Sequence, residues 1–122
     1  MREIKFRAWH EEEKEMISGN DLAFEEYDLL KNWLSQDEIM QFTGLRDANL
    51  GHDKREIYEK DIIEWDSDPI LRDKRRGTVR FQNGSFIVSI GDSLTIYLAR
   101  VIQWGGVVVG NEFENVGMEM FQ

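Results

Sequence analysis

Apolar and polar positions alternate at period two along most of this chain, a spacing that predicts strands. Near the start Ile4, Phe6 and Ala8 alternate with Lys5, Arg7 and Trp9, so the first set is expected to face inward. The polar run from His10 to Glu15 predicts a turn, and Met16-Ile17 can pair back as a short second strand. The period then changes. After Asn20-Asp21, either of which can cap a helix N-terminus, Leu22, Leu29, Leu30, Trp33 and Leu34 share roughly one helical face, predicting a helix within Asp21–Leu34. Strand signals return with Ile39–Thr43, followed by a polar loop over Leu45–Arg55 and a strand over Asp61–Asp66. Ser67–Arg76, with Pro69 and a run of charges, reads as a connection that no central strand tolerates.

The sharpest local expectation is a hairpin over Gly77–Ile90. Asn83-Gly84 suits a two-residue turn in which both residues take positive φ. That turn sets Phe81 opposite Phe86, Val79 opposite Val88 and Arg80 opposite Ile87, with the first four side chains on one face. Leu94–Ile102 reads as strand, Gly105-Gly106 as a turn or bulge, and Val107–Phe113 as a last strand that Gly110 bends. The fold class is therefore mainly β (α+β): a small, strongly curved barrel or sheet with an N-terminal strand pair and helix.

Composition narrows the function more than it defines it. The 122 residues suit a single domain, with residues 1–38 as an N-terminal strand and helix subregion and 39–122 as the barrel subregion. The net charge of −9 repels nucleic acid and anionic membrane at long range, though a local basic patch can override the mean. With no Cys, disulfides, thiolate metal sites and thiol catalysis are excluded. No apolar leader and no run long enough to span a membrane stands in the sequence, so the expected compartment is the cytoplasm.

Several segments together resemble the YopX family of bacteriophage and prophage proteins. They are Arg2-Glu3-Ile4-Lys5-Phe6-Arg7-Ala8-Trp9 with Met16-Ile17; Met40-Gln41-Phe42-Thr43-Gly44-Leu45-Arg46-Asp47; Glu56-Ile57-Tyr58-Glu59 with Asp61-Ile62-Ile63; and Val109-Gly110-Asn111-Glu112-Phe113-Glu114-Asn115. They stand in the family's order and span nearly the whole chain. The resemblance implies a phage or prophage origin, a mainly β architecture and a cytoplasmic life in the bacterial host; it implies no established activity. Two positions depart from the family pattern: Lys60 stands where a Gly is usual before the Asp-Ile strand, and Val116-Gly117 replaces a Pro. If that Gly adopts positive φ, Lys60 must strain or the turn must differ. A weaker likeness is architectural, because Asp61–Trp65, a variable loop, Gly77–Phe81 and the Asn83-Gly84 turn follow the order that opens many SH3-like barrels. Fold analogy of that kind does not define function.

No catalytic, cofactor-binding or metal-ligating constellation emerges from the residues. His10 lies beside an acidic run and His52-Asp53 in a polar loop, but no His-x-x-x-His spacing is present. Asp66-Ser67-Asp68 begins like a calcium loop, and Pro69-Ile70 then replaces its later ligands. The glycines lack the Lys-Ser/Thr of a phosphate loop. One basic cluster favours nucleic acid: Arg72, Lys74, Arg75, Arg76 and, on the adjoining strand, Arg80, opposed by Asp66, Asp68 and Asp73 in the same segment. Trp65, Phe81, Phe86 and Phe113 read as core, whereas an exposed Trp9 or Trp104 would mark a protein interface. Edge strands offer a further route to protein contact, including self-association.

The reading that follows is a non-enzymatic accessory protein without cofactors, which binds another macromolecule. Its expected partner is a host or phage protein. The alternatives are a nucleic-acid-binding module using residues 72–80 and an acidic nucleic-acid mimic.

Overall fold

The computed structural model describes residues 5–10, 13–17, 39–48, 54–66, 74–91 and 94–115. In them nine strands form two sheets, all paired antiparallel. β1 (Phe6–His10), β2 (Glu15–Ile17), β3 (Ile39–Arg46) and β4 (Glu56–Tyr58) make a four-stranded sheet in the order β2-β1-β3-β4. β5 (Asp61–Asp66), β6 (Lys74–Gln82), β7 (Ser85–Ile90), β8 (Leu94–Tyr97) and β9 (Val107–Asn111) make a five-stranded sheet in the order β8-β7-β6-β5-β9, with the short helix α1 (Leu98–Gln103) between β8 and β9. The second sheet curls as a half-barrel. The protein is mainly β, as the alternation predicts. The helix expected within residues 21–34 lies outside the described residues.

The hairpin has the predicted register: Phe81 pairs with Phe86, Arg80 with Ile87 and Val79 with Val88. Asn83 and Gly84 take φ of 52° and 83°, as the two-residue turn demands. Val79 and Val88 are fully buried and join Ile57, Ile63, Trp65 and Val101 in the main core. Phe81 departs from expectation. Its ring packs on Phe86 at 4.9 Å between centroids, but the pair sits at the hairpin's far end and Phe81 stays 51% exposed. Gly77 is a close-approach position, because a Cβ there would lie 2.8 Å from the Ser89 carbonyl oxygen.

Several strand boundaries differ from the sequence reading, the last strand ending at Asn111 rather than Phe113. β3 runs on to Arg46 through a bulge: Phe42 pairs with Tyr58 and Arg46 with Glu56, leaving three residues of β3 opposite one of β4. Gly44, at φ 85°, sits in this bulge, and the Thr43 hydroxyl accepts the Leu45 amide at 3.2 Å. The charges at residues 74–76 begin β6 rather than ending a loop, since Glu64 of β5 stands opposite Arg76 and neutralises it. Leu98–Gln103 is helix where strand was expected. The apolar residues Leu98 and Val101 are spaced by three and both are buried, a spacing that puts them on one face of a helical turn but on opposite faces of a strand. Gly105, at φ 91°, then makes the predicted turn. The predicted bend near Gly110 is also present: Ile62 pairs with Gly110 and Ile63 with Val108, so Val109 is bulged out.

β1 shows the largest departure in sidedness. Ala8 is buried against Ile17 and Ile39, as expected, but Phe6 is 43% exposed. The set bearing Arg7 and Trp9 turns toward the rest of the protein as well. Trp9 is buried and stacks on Phe113 at 5.5 Å, and Arg7 reaches Asp61 of the other sheet at 2.6 Å. Period two identifies the strand but does not show that both of its faces are covered.

Candidate functional site

Two regions gather polar and aromatic side chains, and they differ in how completely those groups are satisfied. The first lies where β1, β3 and β4 meet β5. Asp61 is 2% exposed; one carboxylate oxygen accepts Arg7 Nη2 at 2.6 Å and the other accepts the Tyr58 amide at 2.8 Å. The Arg7 guanidinium also covers the Tyr58 ring, 4.6 Å from its centroid. Beside it Glu56 takes Lys5 at 2.5 Å and Arg46 at 3.3 Å, and both cations lie over the Phe42 ring. Burial raises the Asp61 carboxyl above its ordinary value, and the Arg7 charge opposes that shift without cancelling it. Burial, then the Glu56 charge, likewise pushes the Tyr58 hydroxyl up.

Every residue of this cluster comes from a segment that carries the family resemblance, and the neighbouring segments have similar duties. Asp47, 1% exposed, accepts the Arg55 and Val108 amides at 3.1 and 3.0 Å, which staples the end of β3 to β9. Glu59 accepts the Gln41 amide at 2.7 Å beside the bulge. Asn111 caps the turn after β9 by accepting the Phe113 and Glu114 amides at 3.0 and 2.9 Å. Lys60 does adopt positive φ, 70°, with its amide bonded to the Val79 carbonyl at 2.8 Å and its carbonyl to the Glu112 amide at 2.9 Å. These segments therefore position backbone.

The basic segment is ordered along β6. Arg76 Nε donates to Glu64 at 2.6 Å, Lys74 lies 3.8 Å from the same carboxylate, and Arg80 meets Glu112 at 2.5 Å, with Lys60 3.8 Å from its other oxygen. Arg75 pairs opposite Trp65 in the ladder, so its side chain projects from the other face of the strand from Arg76 and Arg80. The strand pleat thus splits the cluster between two faces, and three of its cations already hold carboxylates. Arg72 lies outside the described residues, as do His52, Asp53 and Asp68. Among the described residues no group of three or more His, Asp and Glu is arranged to hold a metal ion, and no helix is long and apolar enough to cross a membrane.

The second region is a groove of about 580 Å³ on the face of β7 and β8, between the hairpin tip and α1. Ile87 and Ile96 lie along it, with Tyr97, Arg100 and Trp104 rising on the helix side. Tyr97 is 66% exposed, while Trp104 is half-buried with part of its ring against the main core. Gln82, Asn83, Ser85 and Thr95 supply the polar part of the lining. Sequence reading singled out Trp104 alone. Tyr97 and Arg100 were assigned to a continuous strand, and only the switch from β8 to helix at Leu98 brings them beside Trp104. That switch has no Pro, Gly or side-chain cap to announce it.

The chain is similar over its length to a solved structure, the crystal structure of protein EF1440 from Enterococcus faecalis. The TM-score is 0.64 at 24% identity, covering 98% of this chain and 99% of that one, a likeness that establishes shared fold alone. No curated protein matches the chain. The family described as YopX protein matches residues 5–118, through the strands and turns whose roles are given above; the chain belongs to the YopX family.

Proposed function

We propose that this protein is a non-enzymatic binding module of phage or prophage origin, acting in the bacterial cytoplasm, and that its partner is a protein held at the groove between β7, β8 and α1. The observation that carries the reading is the convergence of Tyr97, Arg100 and Trp104 on one open groove. Tyr, Trp and Arg are the residues most enriched at energetic centres of protein interfaces, because each offers large contact area together with a polar group. The groove's volume also falls within the range of about 300–1,000 Å³ typical of ligand sites. The strand order supports an SH3-like reading of the five-stranded sheet: a hairpin, a further strand, one helical turn, and a last strand that returns to pair with the first.

A nucleic-acid interface on β6 has weaker support. Lys74, Arg76 and Arg80 would have to give up Glu64 and Glu112 before phosphates could replace those carboxylates. Quantitative affinity capture from a bacterial lysate, run side by side with wild type and Tyr97→Ala, tests the reading. A defined partner held by wild type and lost by the variant agrees with it. A purified protein that turns over a substrate, or that binds DNA at physiological salt through Arg76 and Arg80, contradicts it.

A further inference from the structure

We infer that the groove is built for an extended peptide segment carrying an aspartate or glutamate, whose carboxylate pairs with Arg100 while a neighbouring apolar side chain packs against Tyr97 and Trp104. This deepens the binding-module reading and rests on it. The first argument is charge. Acidic residues number 24 in the chain, yet none of the described residues lining the groove is acidic, and Arg100 gives it a net positive charge. Elsewhere Lys5, Arg7, Arg46, Lys60, Lys74, Arg76 and Arg80 each hold a carboxylate, with Arg75 of β6 the exception among the described strand cations. Arg100 has no such partner among the described residues. A cation with no anion among the described residues, at the edge of a groove whose described lining holds no acid, in a protein of net charge −9, selects for an anionic occupant.

The second argument concerns hydrogen bonding. Gln82, Asn83, Ser85 and Thr95 make no side-chain hydrogen bond within the described protein, so the groove presents both donors and acceptors along its length. An extended peptide offers matching amides and carbonyls at every residue, whereas a compact inorganic anion would use only the Arg100 end. The third is the placement of the aromatics. Tyr97 directly precedes the helix that carries Arg100, so a carboxylate bound at the guanidinium lies one side chain away from the ring. The segment expected is therefore short and mixed: an acid next to an aromatic or branched aliphatic residue.

The test is a random nonapeptide display library panned on the full-length protein, followed by affinity measurement of the enriched peptides at two salt concentrations. Wild type is expected to enrich acidic–apolar pairs. Arg100→Ala should weaken the selected peptides by about tenfold or more, as loss of a charge-assisted bond does. Arg100→Glu, panned in parallel, should redirect the selection toward Lys and Arg. Raised salt should weaken wild type and leave Arg100→Ala nearly unaffected. Peptides lost with Tyr97→Ala but indifferent to charge at position 100 would overturn the acidic-segment inference and leave the groove as a binding site. Enrichment that ignores both Tyr97 and Arg100, or no enrichment at all, would overturn the inference and count against the binding-module reading. Competition of the selected peptides by single-stranded DNA, lost with Arg100→Ala, would assign the groove to nucleic acid and overturn it as well.

Discussion

The cluster around Asp61 and the groove around Arg100 are opposites in how they treat charge. In the first, Arg7 is spent on Asp61, and Lys5 and Arg46 on Glu56, all of them packed on aromatic rings. In the second, Arg100, Tyr97 and four neutral polar side chains face solvent without partners among the described residues. The segments that carry the family resemblance supply all of the first region and none of the described lining of the second. The segments that carry the resemblance thus supply the contacts by which β1 meets β5, whereas the groove lies on β7, β8 and α1.

The comparison breaks most visibly at Arg7. Arg7→Ala leaves the Asp61 carboxylate buried with the Tyr58 amide as its one remaining hydrogen-bond donor among the described residues, and such losses cost about 3–5 kcal/mol. Urea denaturation should show a drop of that order, with the midpoint falling and m unchanged. Arg100→Ala, by contrast, should change stability by no more than about 0.5 kcal/mol, as exposed substitutions do. Equal effects on stability at the two arginines would erase the distinction between the regions.

The pH dependence of Asp61 sharpens it further. Because its folded-state pKa is raised, the protonated form favours folding. That contribution is fully present below the unfolded pKa and is lost as pH rises through the folded one. Asp61→Asn removes it, so the stability of the variant relative to wild type should improve as pH climbs from the ordinary carboxylate range to neutrality. Arg7→Ala should extend the window upward, since the opposing positive charge is gone. A difference between variant and wild type that does not change with pH would show that Asp61 titrates normally.

Two smaller effects probe the turns that frame each region. Asn83→Ala forces a residue with a Cβ and no local hydrogen-bonding side chain into φ near 52°, and should cost about 1 kcal/mol while slightly weakening any ligand that reaches the hairpin tip. Lys60→Gly relieves the positive φ beside the Asp61 cluster at the expense of a 3.8 Å, part-exposed pair with Glu112. A net gain of roughly 0.5 kcal/mol in thermal or urea unfolding is expected, because pairs of that kind contribute little.

These contrasts also explain what was readable beforehand. The hairpin was legible to the residue, because Asn83-Gly84 dictates a turn and the turn dictates register. One departure from the family pattern left two options at Lys60, strain or a different turn, and the positive φ of 70° selects the first. The bulge at Thr43-Gly44-Leu45 and the strand at Glu56–Tyr58 were hidden, since both are held by distant partners: Glu59 with Gln41, Asp47 with Arg55. The groove was the least legible feature. Its residues come from a hairpin tip, an edge strand and a six-residue helix, and sequence spacing carries no signal that these three meet.

On the proposed reading the Asp61 cluster builds the fold and the groove binds, a division that amide and indole chemical shifts can separate while an enriched acidic peptide is titrated into the protein. Shifts are expected at Tyr97, Arg100, the Trp104 indole and the hairpin tip alone, with the amides of Arg7, Tyr58 and Asp61 unmoved. Shifts centred on Arg7, Tyr58 and Asp61, with the groove silent, would contradict it.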